Sequence, residues 1–172
     1  MVQQEELINI ARTYAFKCHK RVNHWYDGRR YDYHLEMAYQ EALKYINLVP
    51  EEVKIYVLAA VLCHDVFEDC RESYNDIKRN VGEIVADIVY AVSNEKGKNR
   101  EEKQNEKYYI GIRSTPGALF VKLCDRLVNT KYSLKHKSSM FNKYKKEYTH
   151  FRNQLYNENC KPMFDELDNL CK

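Results

Sequence analysis

The residues best suited to chemistry follow the most apolar segment of the chain. Residues 61–69 read Val-Leu-Cys-His-Asp-Val-Phe-Glu-Asp, and positions 55–62 read Ile-Tyr-Val-Leu-Ala-Ala-Val-Leu. A run that is apolar on every side and contains no Gly or Pro predicts a buried helix. Polar groups at the end of a buried helix are unfavourable unless they have partners. His64, Asp65, Glu68 and Asp69 therefore indicate a functional site.

Their spacing favours a cation as the partner. His64 and Glu68 are four residues apart, as are Asp65 and Asp69, so each pair lies within about one helical turn. Imidazole nitrogen combined with carboxylate oxygen suits Mn, Fe, Zn or Co. The alternative is a buried polar pair that satisfies itself.

A second acid interrupts another apolar stretch. Residues 119–129 read Leu-Phe-Val-Lys-Leu-Cys-Asp-Arg-Leu-Val-Asn, which predicts a helix with Asp125 on it. Asn129 follows one turn later and Lys122 precedes by nearly one turn. The pattern repeats that of the first stretch, a carboxylate within a buried helix.

A histidine supplies the last candidate ligand. His34 ends the sequence Tyr-Asp-Tyr-His at positions 31–34, where another helical pattern begins. Together, His34, His64, Asp65 and Asp125 can provide four protein ligands and leave positions for water.

The order of these motifs resembles the HD-domain phosphohydrolases, which have a His, then a His-Asp pair, then a distant Asp. The surrounding sequence is most similar to the hydrolase domain of RelA/SpoT proteins and to the small stand-alone ppGpp hydrolases. The resemblance covers roughly residues 5–150. Its matching segments are Ala15–His19, Gly28–His34, Val61–Asp69, Ser114–Ala118 and Lys122–Asn129.

The resemblance implies removal of the 3′-pyrophosphate of ppGpp with one divalent metal, Mn first and Zn, Fe or Co as alternatives. Removal of the 2′-phosphate of NADPH, or hydrolysis of another nucleotide, is the alternative within the class. Glu68 and Asp69 resemble the acidic pair beside the activated water. The substrate contacts that the resemblance implies are Tyr31, Arg100, Lys103, Lys122, Asn129 and Tyr148. For the basic side chains, the alternative for Arg100 and Lys103 is a solvated helix face, and for Lys122 it is a structural ion pair.

Two stretches depart from the family pattern. The family has Gly-x-Pro-Tyr before its first ligand and Pro after it, whereas this chain has Gly28-Arg29-Arg30-Tyr31 and Leu35. The family also has a base-contacting Arg about five residues after the His that corresponds to His19. Arg21, His24 and Trp25 are the candidates to replace that Arg, so we expect altered base selection.

Composition predicts one soluble, cytoplasmic domain over residues 1–172. The formal net charge of +3 is too small to imply a nucleic-acid partner, and the charged content of 31% is ordinary for a globular protein. Six cysteines without a Cys-x-x-Cys pair indicate reduced, structural thiols. The expected partner is a small phosphorylated nucleotide, with no membrane; the oligomeric state is not predicted.

Nearly every segment has a helical pattern, which predicts an all-α fold of eight to ten helices and no strands. We expect helices over 3–22, 32–48, from Pro50 onward, 74–80, 83–93, up to about 112 after a loop at 94–100, 116–132, 138–157 and from Pro162. Two other classes of function stay open. They are a non-catalytic nucleotide sensor and a nucleic-acid-binding module that uses the seven Lys or Arg of residues 131–152.

Overall fold

The computed structural model of the chain describes residues 2–172, with side chains from residue 5 onward, and this part is almost entirely helical. It has nine helices of eight or more residues and two of four residues, which confirms the all-α prediction. The helices are α1 (Val2–Arg21), α2 (Asp32–Tyr45), α3 (Lys54–Cys63), α4 (Val66–Asp69), α5 (Tyr74–Val81), α6 (Glu83–Val92), α7 (Arg100–Lys103), α8 (Glu106–Ser114), α9 (Ala118–Lys135), α10 (Met140–Leu155) and α11 (Lys161–Cys171). Short 3-10 helices cover Ile46–Leu48, Glu51–Val53 and Glu158–Cys160.

Helix α3 forms the centre of the bundle. Every residue from Val57 to Cys63 is buried, and α1, α2, α6 and α9 pack around it. This is the environment that an Ala- and Leu-rich segment without a polar face requires. Burial of α3 places its last turn, and the His64-Asp65 pair that follows, deep in the protein.

Helix α9 begins two residues later than the predicted 116–132 boundary. Gly117 precedes it with a φ of 85°, a left-handed conformation that favours glycine. A Cβ at this position would also lie 2.6 Å from Cγ2 of Val57 on α3. Gly117 therefore allows the start of α9 to approach α3 closely, and α9 carries Asp125.

A two-stranded hairpin between α1 and α2 contradicts the expectation that the chain has no strands. Strands β1 (Trp25–Tyr26) and β2 (Arg29–Arg30) pair antiparallel around Asp27 and Gly28. Both turn residues have positive φ, 48° and 75°, as a type I′ turn requires. Asp-Gly is a common sequence for such a turn, so the sequence contained a signal for the hairpin.

The predicted polar helix before residue 112 is two helices. Asn99 caps α7 by accepting a hydrogen bond from the Glu102 backbone, and Asn105 caps α8 by accepting one from the Tyr108 backbone. Each cap begins a new helix, so residues 100–114 do not form one continuous helix. Within residues 2–172 no helix has the length and hydropathy needed to cross a bilayer.

Candidate metal centre and substrate cavity

Four side chains from three parts of the bundle converge at one point. His34 lies in the first turn of α2, His64 and Asp65 follow α3, and Asp125 lies on α9. The Nε2 atoms of His34 and His64 are 3.2 Å apart, and each lies within 3.6 Å of Oδ1 of Asp125. Oδ2 of Asp65 lies 2.9 Å from Nε2 of His64 and 3.7 Å from Nε2 of His34. The structure thus brings together all four predicted ligands.

The second nitrogen of His64 identifies the atom that faces the site. Nδ1 of His64 lies 2.7 Å from the carbonyl oxygen of Val61, which can only accept, so Nδ1 carries the proton. In neutral His64, Nε2 therefore presents a lone pair toward the carboxylates. A carbonyl partner of this kind orients metal-binding histidines.

The donor set fits a single divalent cation. Metal bonds of about 2.0 to 2.2 Å place neighbouring ligand atoms about 3.0 to 3.6 Å apart, which matches most of the separations among these side chains. The donor atoms of His34, His64 and Asp125 all lie within 4.8 Å of one another. Several electron-rich atoms at such distances repel one another unless a cation or proton lies between them.

The electrostatics show that the site attracts positive charge. Burial disfavours protonation of His64, but Asp65 and Asp125 outweigh it and raise the pKa of His64 well above its usual value. Burial likewise opposes ionisation of Asp125, yet Lys122, with Nζ 3.3 Å from Oδ2, and the two histidines hold the Asp125 pKa well below its usual range. A proton and a metal ion consequently compete for this site.

Glu68 and Asp69 follow the His64-Asp65 pair on α4. Glu68 lines the adjoining cavity, whereas Asp69 does not, and Oδ2 of Asp69 lies 3.8 Å from Nδ1 of His24. The Glu68 carboxylate accepts hydrogen bonds from the backbone N–H of Asn94 at 2.7 Å and from its side-chain Nδ2 at 2.6 Å. Burial, together with the charges of Asp65 and Glu68, raises the pKa of Asp69 to about 7. Glu68 is therefore fixed in position, whereas Asp69 can gain or lose a proton near neutral pH.

A cavity of about 220 Å³ adjoins this centre. Three cationic side chains, Arg100, Lys122 and Arg126, reach it and face three carboxylates, those of Asp65, Glu68 and Asp125. Its lining residues are Tyr31, Asp65, Glu68, Asn94, Arg100, Gln104, Lys122, Asp125, Arg126, Asn129, Tyr144 and Phe151. A larger open cleft of about 1110 Å³ is bordered by residues of α1 and α5, and none of the predicted metal ligands lines it.

Four of the predicted substrate contacts line the cavity. They are Tyr31, Arg100, Lys122 and Asn129. The hydroxyl of Tyr31 donates to Asp65, and the amide of Asn129 donates to Asp125. Tyr31 and Asn129 therefore also hold carboxylates of the candidate metal centre.

The other four predicted substrate contacts lie elsewhere. Arg21 pairs with Glu72 on the α1 side of the large cleft, and Lys103 is exposed on α7. Trp25 is 53% exposed on the hairpin, where its Nε1 donates to Asn23. Within residues 5–172, none of them lines the 220 Å³ cavity.

The position of Tyr148 does not support the predicted contact with a nucleotide. Its side chain is buried between α10 and α11, and its hydroxyl donates to the Phe164 carbonyl at 3.1 Å and to Asp168 at 2.6 Å. Both acceptors belong to α11. Tyr148 thus fastens the last helix to the bundle, a tertiary role that the sequence of α10 does not reveal.

Six site residues were missed in the sequence, namely Tyr26, Asn94, Gln104, Arg126, Tyr144 and Phe151. Arg126 lies on the same face of α9 as Lys122 and Asn129, so helical spacing could have revealed it. Tyr26 of the hairpin donates to Oδ1 of Asn129 at 3.0 Å and stacks on His34 with 4.7 Å between ring centroids. Asn94 lies in a loop, and nothing in its sequence context indicates that it binds Glu68.

The comparisons agree with these motifs. The chain is 33% identical over 75 residues to guanosine-3′,5′-bis(diphosphate) 3′-pyrophosphohydrolase MESH1 of Mus musculus, and the match covers 44% of this chain and 42% of that protein. The Homo sapiens MESH1 gives the same figures. A guanosine-3′,5′-bis(diphosphate) 3′-pyrophosphohydrolase of Aquifex aeolicus is 34% identical over 77 residues, 43% of this chain and 11% of the relative.

The resemblance to ppGpp hydrolases is confirmed. The alignment spans about two fifths of the length of each MESH1 relative, so it concerns part of those proteins. No protein-family model matches the chain.

Proposed function

We propose that the protein is a metal-dependent phosphohydrolase that acts on a phosphorylated nucleotide, with the 3′-pyrophosphate of ppGpp as first choice. The observation that carries the proposal is the convergence of His34, His64, Asp65 and Asp125 beside a cavity lined by three cationic side chains. A metal ligand set beside a cavity with cationic side chains suits hydrolysis of a phosphate ester. The names of the similar proteins, guanosine-3′,5′-bis(diphosphate) 3′-pyrophosphohydrolases, support the choice of ppGpp.

The four converging residues would hold the cation, which we propose is Mn. A bound divalent ion would supply a Lewis acid that polarises a phosphoryl oxygen and acidifies water. The chain itself fixes the ligand geometry, since His64 is oriented by the Val61 carbonyl and Asp65 by the Tyr31 hydroxyl.

Glu68 and Asp69 would manage the water and its proton. Glu68 is immobilised by Asn94 and can accept a hydrogen bond that orients the attacking water. Asp69, with its raised pKa of about 7, can accept the proton that the water loses and return it to the departing ribose oxygen. The phosphorus–oxygen bond to the ribose then breaks, with pyrophosphate and a nucleoside diphosphate as products.

The cavity cations would balance the charge of the substrate. Lys122 and Arg100 line the space beside the carboxylates, where developing negative charge on a phosphate would otherwise be repelled. The many exposed Lys side chains of residues 131–152 add a positive field that draws polyanions toward the molecule. Asn129, which lines the cavity beside Asp125, would contact the substrate.

The test is product analysis with purified, Mn-loaded protein. We expect ppGpp to give a guanosine diphosphate and pyrophosphate, with NADPH, deoxynucleoside triphosphates and other signalling nucleotides as the comparison panel. Asp65→Ala should abolish release, and Asp165→Ala, which changes an exposed acid on α11, should not. Binding of ppGpp without release of any product would favour the alternative of a non-catalytic nucleotide sensor. Cleavage of NADPH alone would change the assigned substrate from ppGpp to NADPH.

A further inference from the structure

Arg126 is a buried cation that the candidate metal chemistry does not use. It follows Asp125 on α9, is only 5% exposed, and lines the same cavity as the acid. Lys122, a half-buried cation of the same cavity, already has a partner because its Nζ lies 3.3 Å from Asp125. Burial of a guanidinium is unfavourable without an anion nearby, so its position calls for a partner.

The one acid on α10 between residues 140 and 155 serves two arginines. Oε2 of Glu147 lies 3.2 Å from Nη1 of Arg126, and Oε1 lies 3.1 Å from Nε of Arg100. Two positive charges therefore share one negative charge at the wall of the cavity. The cluster of Arg100, Arg126 and Glu147 keeps a net charge of +1.

The Arg126 guanidinium is rigid and has donors to spare. Its centre lies 5.0 Å from the ring of Tyr144 and 4.8 Å from the ring of Phe151, both on α10. Such contacts fix the plane of the guanidinium. Of its five N–H donors, one has a hydrogen-bond acceptor among residues 5–172, which is Glu147.

We infer that Arg126 and Arg100 form a second phosphate subsite, which receives the distal phosphate of a diphosphate ester while the other phosphate lies at the metal centre. A planar guanidinium with free, fixed donors binds phosphate through paired hydrogen bonds. Glu147 orients the two arginines without cancelling their charge. This inference deepens the proposed function, on which its biological meaning rests, by assigning selectivity for a diphosphate over a monophosphate.

The consequence is a specificity rule. A substrate with a single phosphate on its ribose fills the metal centre but leaves the arginines unused. A substrate with a diphosphate at that position makes both contacts. Arg126 would therefore separate pyrophosphate removal from simple phosphate removal within one cavity.

Calorimetry with inorganic pyrophosphate and inorganic phosphate tests the subsite without any turnover. The titrations use Mn-loaded wild type, Arg126→Met and Arg126→Lys in one buffer, so that chelation of Mn by pyrophosphate is common to all. We expect wild type to bind pyrophosphate more tightly than phosphate. Arg126→Met should lose about tenfold in pyrophosphate affinity with phosphate affinity nearly unchanged, and Arg126→Lys should lose less.

Arg152→Met is the matched control. Arg152 also lies on a ring, with its guanidinium 4.4 Å from Tyr156, and pairs with Asp168, but it does not line the cavity. An equal loss of affinity for pyrophosphate and for phosphate in Arg126→Met, or no loss of affinity for either, would overturn the subsite. If Arg126→Met does not fold, the same criterion applies to Arg126→Lys. Arg126-dependent pyrophosphate binding in a protein that does not cleave ppGpp would keep the subsite and reject the proposed substrate.

Discussion

His64 illustrates how single atoms define the site. One ring nitrogen is bound to the Val61 carbonyl and the other faces two carboxylates and a second imidazole. If His64 belonged to a buried polar pair without a metal, one acidic partner would be enough to satisfy it. The arrangement has more acceptors than one proton can satisfy, which is the residue-scale reason to propose a metal ion.

At this scale the first prediction concerns the acidic pair on α4. Asp69→Asn and Glu68→Gln should retain the metal, because neither belongs to the ligand set, but should lower kcat by about 100-fold or more. Metal content and steady-state kinetics on the identified substrate measure the two effects. Glu52→Gln, at an exposed acid that does not line the cavity, is the control. A mutant that binds metal and keeps near-normal kcat would disprove the role of that residue.

The second prediction concerns His19, which is buried beneath the cavity wall and stacks on Tyr31. Burial lowers the pKa of His19 to about 3, while the unfolded chain has its ordinary value near 6.5. The unfolded state binds the extra proton between these values. Stability contributed by His19 is therefore complete above about pH 6.5 and falls as the pH drops, by at most about 1.4 kcal/mol per pH unit.

Urea unfolding of metal-free protein between pH 4 and pH 7 measures this effect. His19→Phe should reduce the slope of unfolding free energy against pH, and His150→Gln, at an exposed position, should leave it unchanged. An identical slope in wild type and His19→Phe would mean that folding does not lower the pKa of His19.

At the scale of elements, the contact between α3 and the start of α9 determines where Asp125 lies. Gly117→Ala should destabilise the protein by about 2 to 4 kcal/mol, because it adds both a left-handed alanine and a clash with Val57. Gly28→Ala is the matched control, since Gly28 also has positive φ, but a Cβ there would have no neighbour within 4 Å. Chemical denaturation of both variants separates strain from clash. Equal losses would show that α9 can shift without penalty.

The helices that carry the ligands can be predicted from the pattern of residues alone. The apolar run that becomes α3 and the Asp-bearing run that becomes α9 were both predicted, because a helix that is buried on every side must consist almost entirely of apolar residues. The hairpin was missed although Asp27-Gly28 signals it, since strands of two residues have no alternation to detect. Tyr148 was misplaced because its partners, Phe164 and Asp168, lie on a helix whose docking depends on tertiary packing.

At the scale of the whole molecule, the candidate metal links three parts of the bundle. His34, the His64-Asp65 pair and Asp125 come from α2, the end of α3 and α9, so a bound ion stabilises their packing. With free metal at about 100 times its Kd, the folded state gains about 2.7 kcal/mol. Chelation should therefore lower Tm by about 5 to 10 °C in wild type and leave Asp125→Ala unchanged. Scanning calorimetry with and without chelator measures the shift, and equal Tm values in wild type would mean that the ion does not bridge the helices.

The most direct measurement of the central claim is elemental analysis of purified protein after exposure to Mn and removal of excess metal. Wild type should contain about one divalent ion per chain, as expected for a single His and carboxylate site. Asp65→Ala should contain almost none, and Asp165→Ala should match wild type. Equal metal content in wild type and Asp65→Ala, or none in wild type under metal-replete conditions, would contradict the assignment of His34, His64, Asp65 and Asp125 as a metal centre.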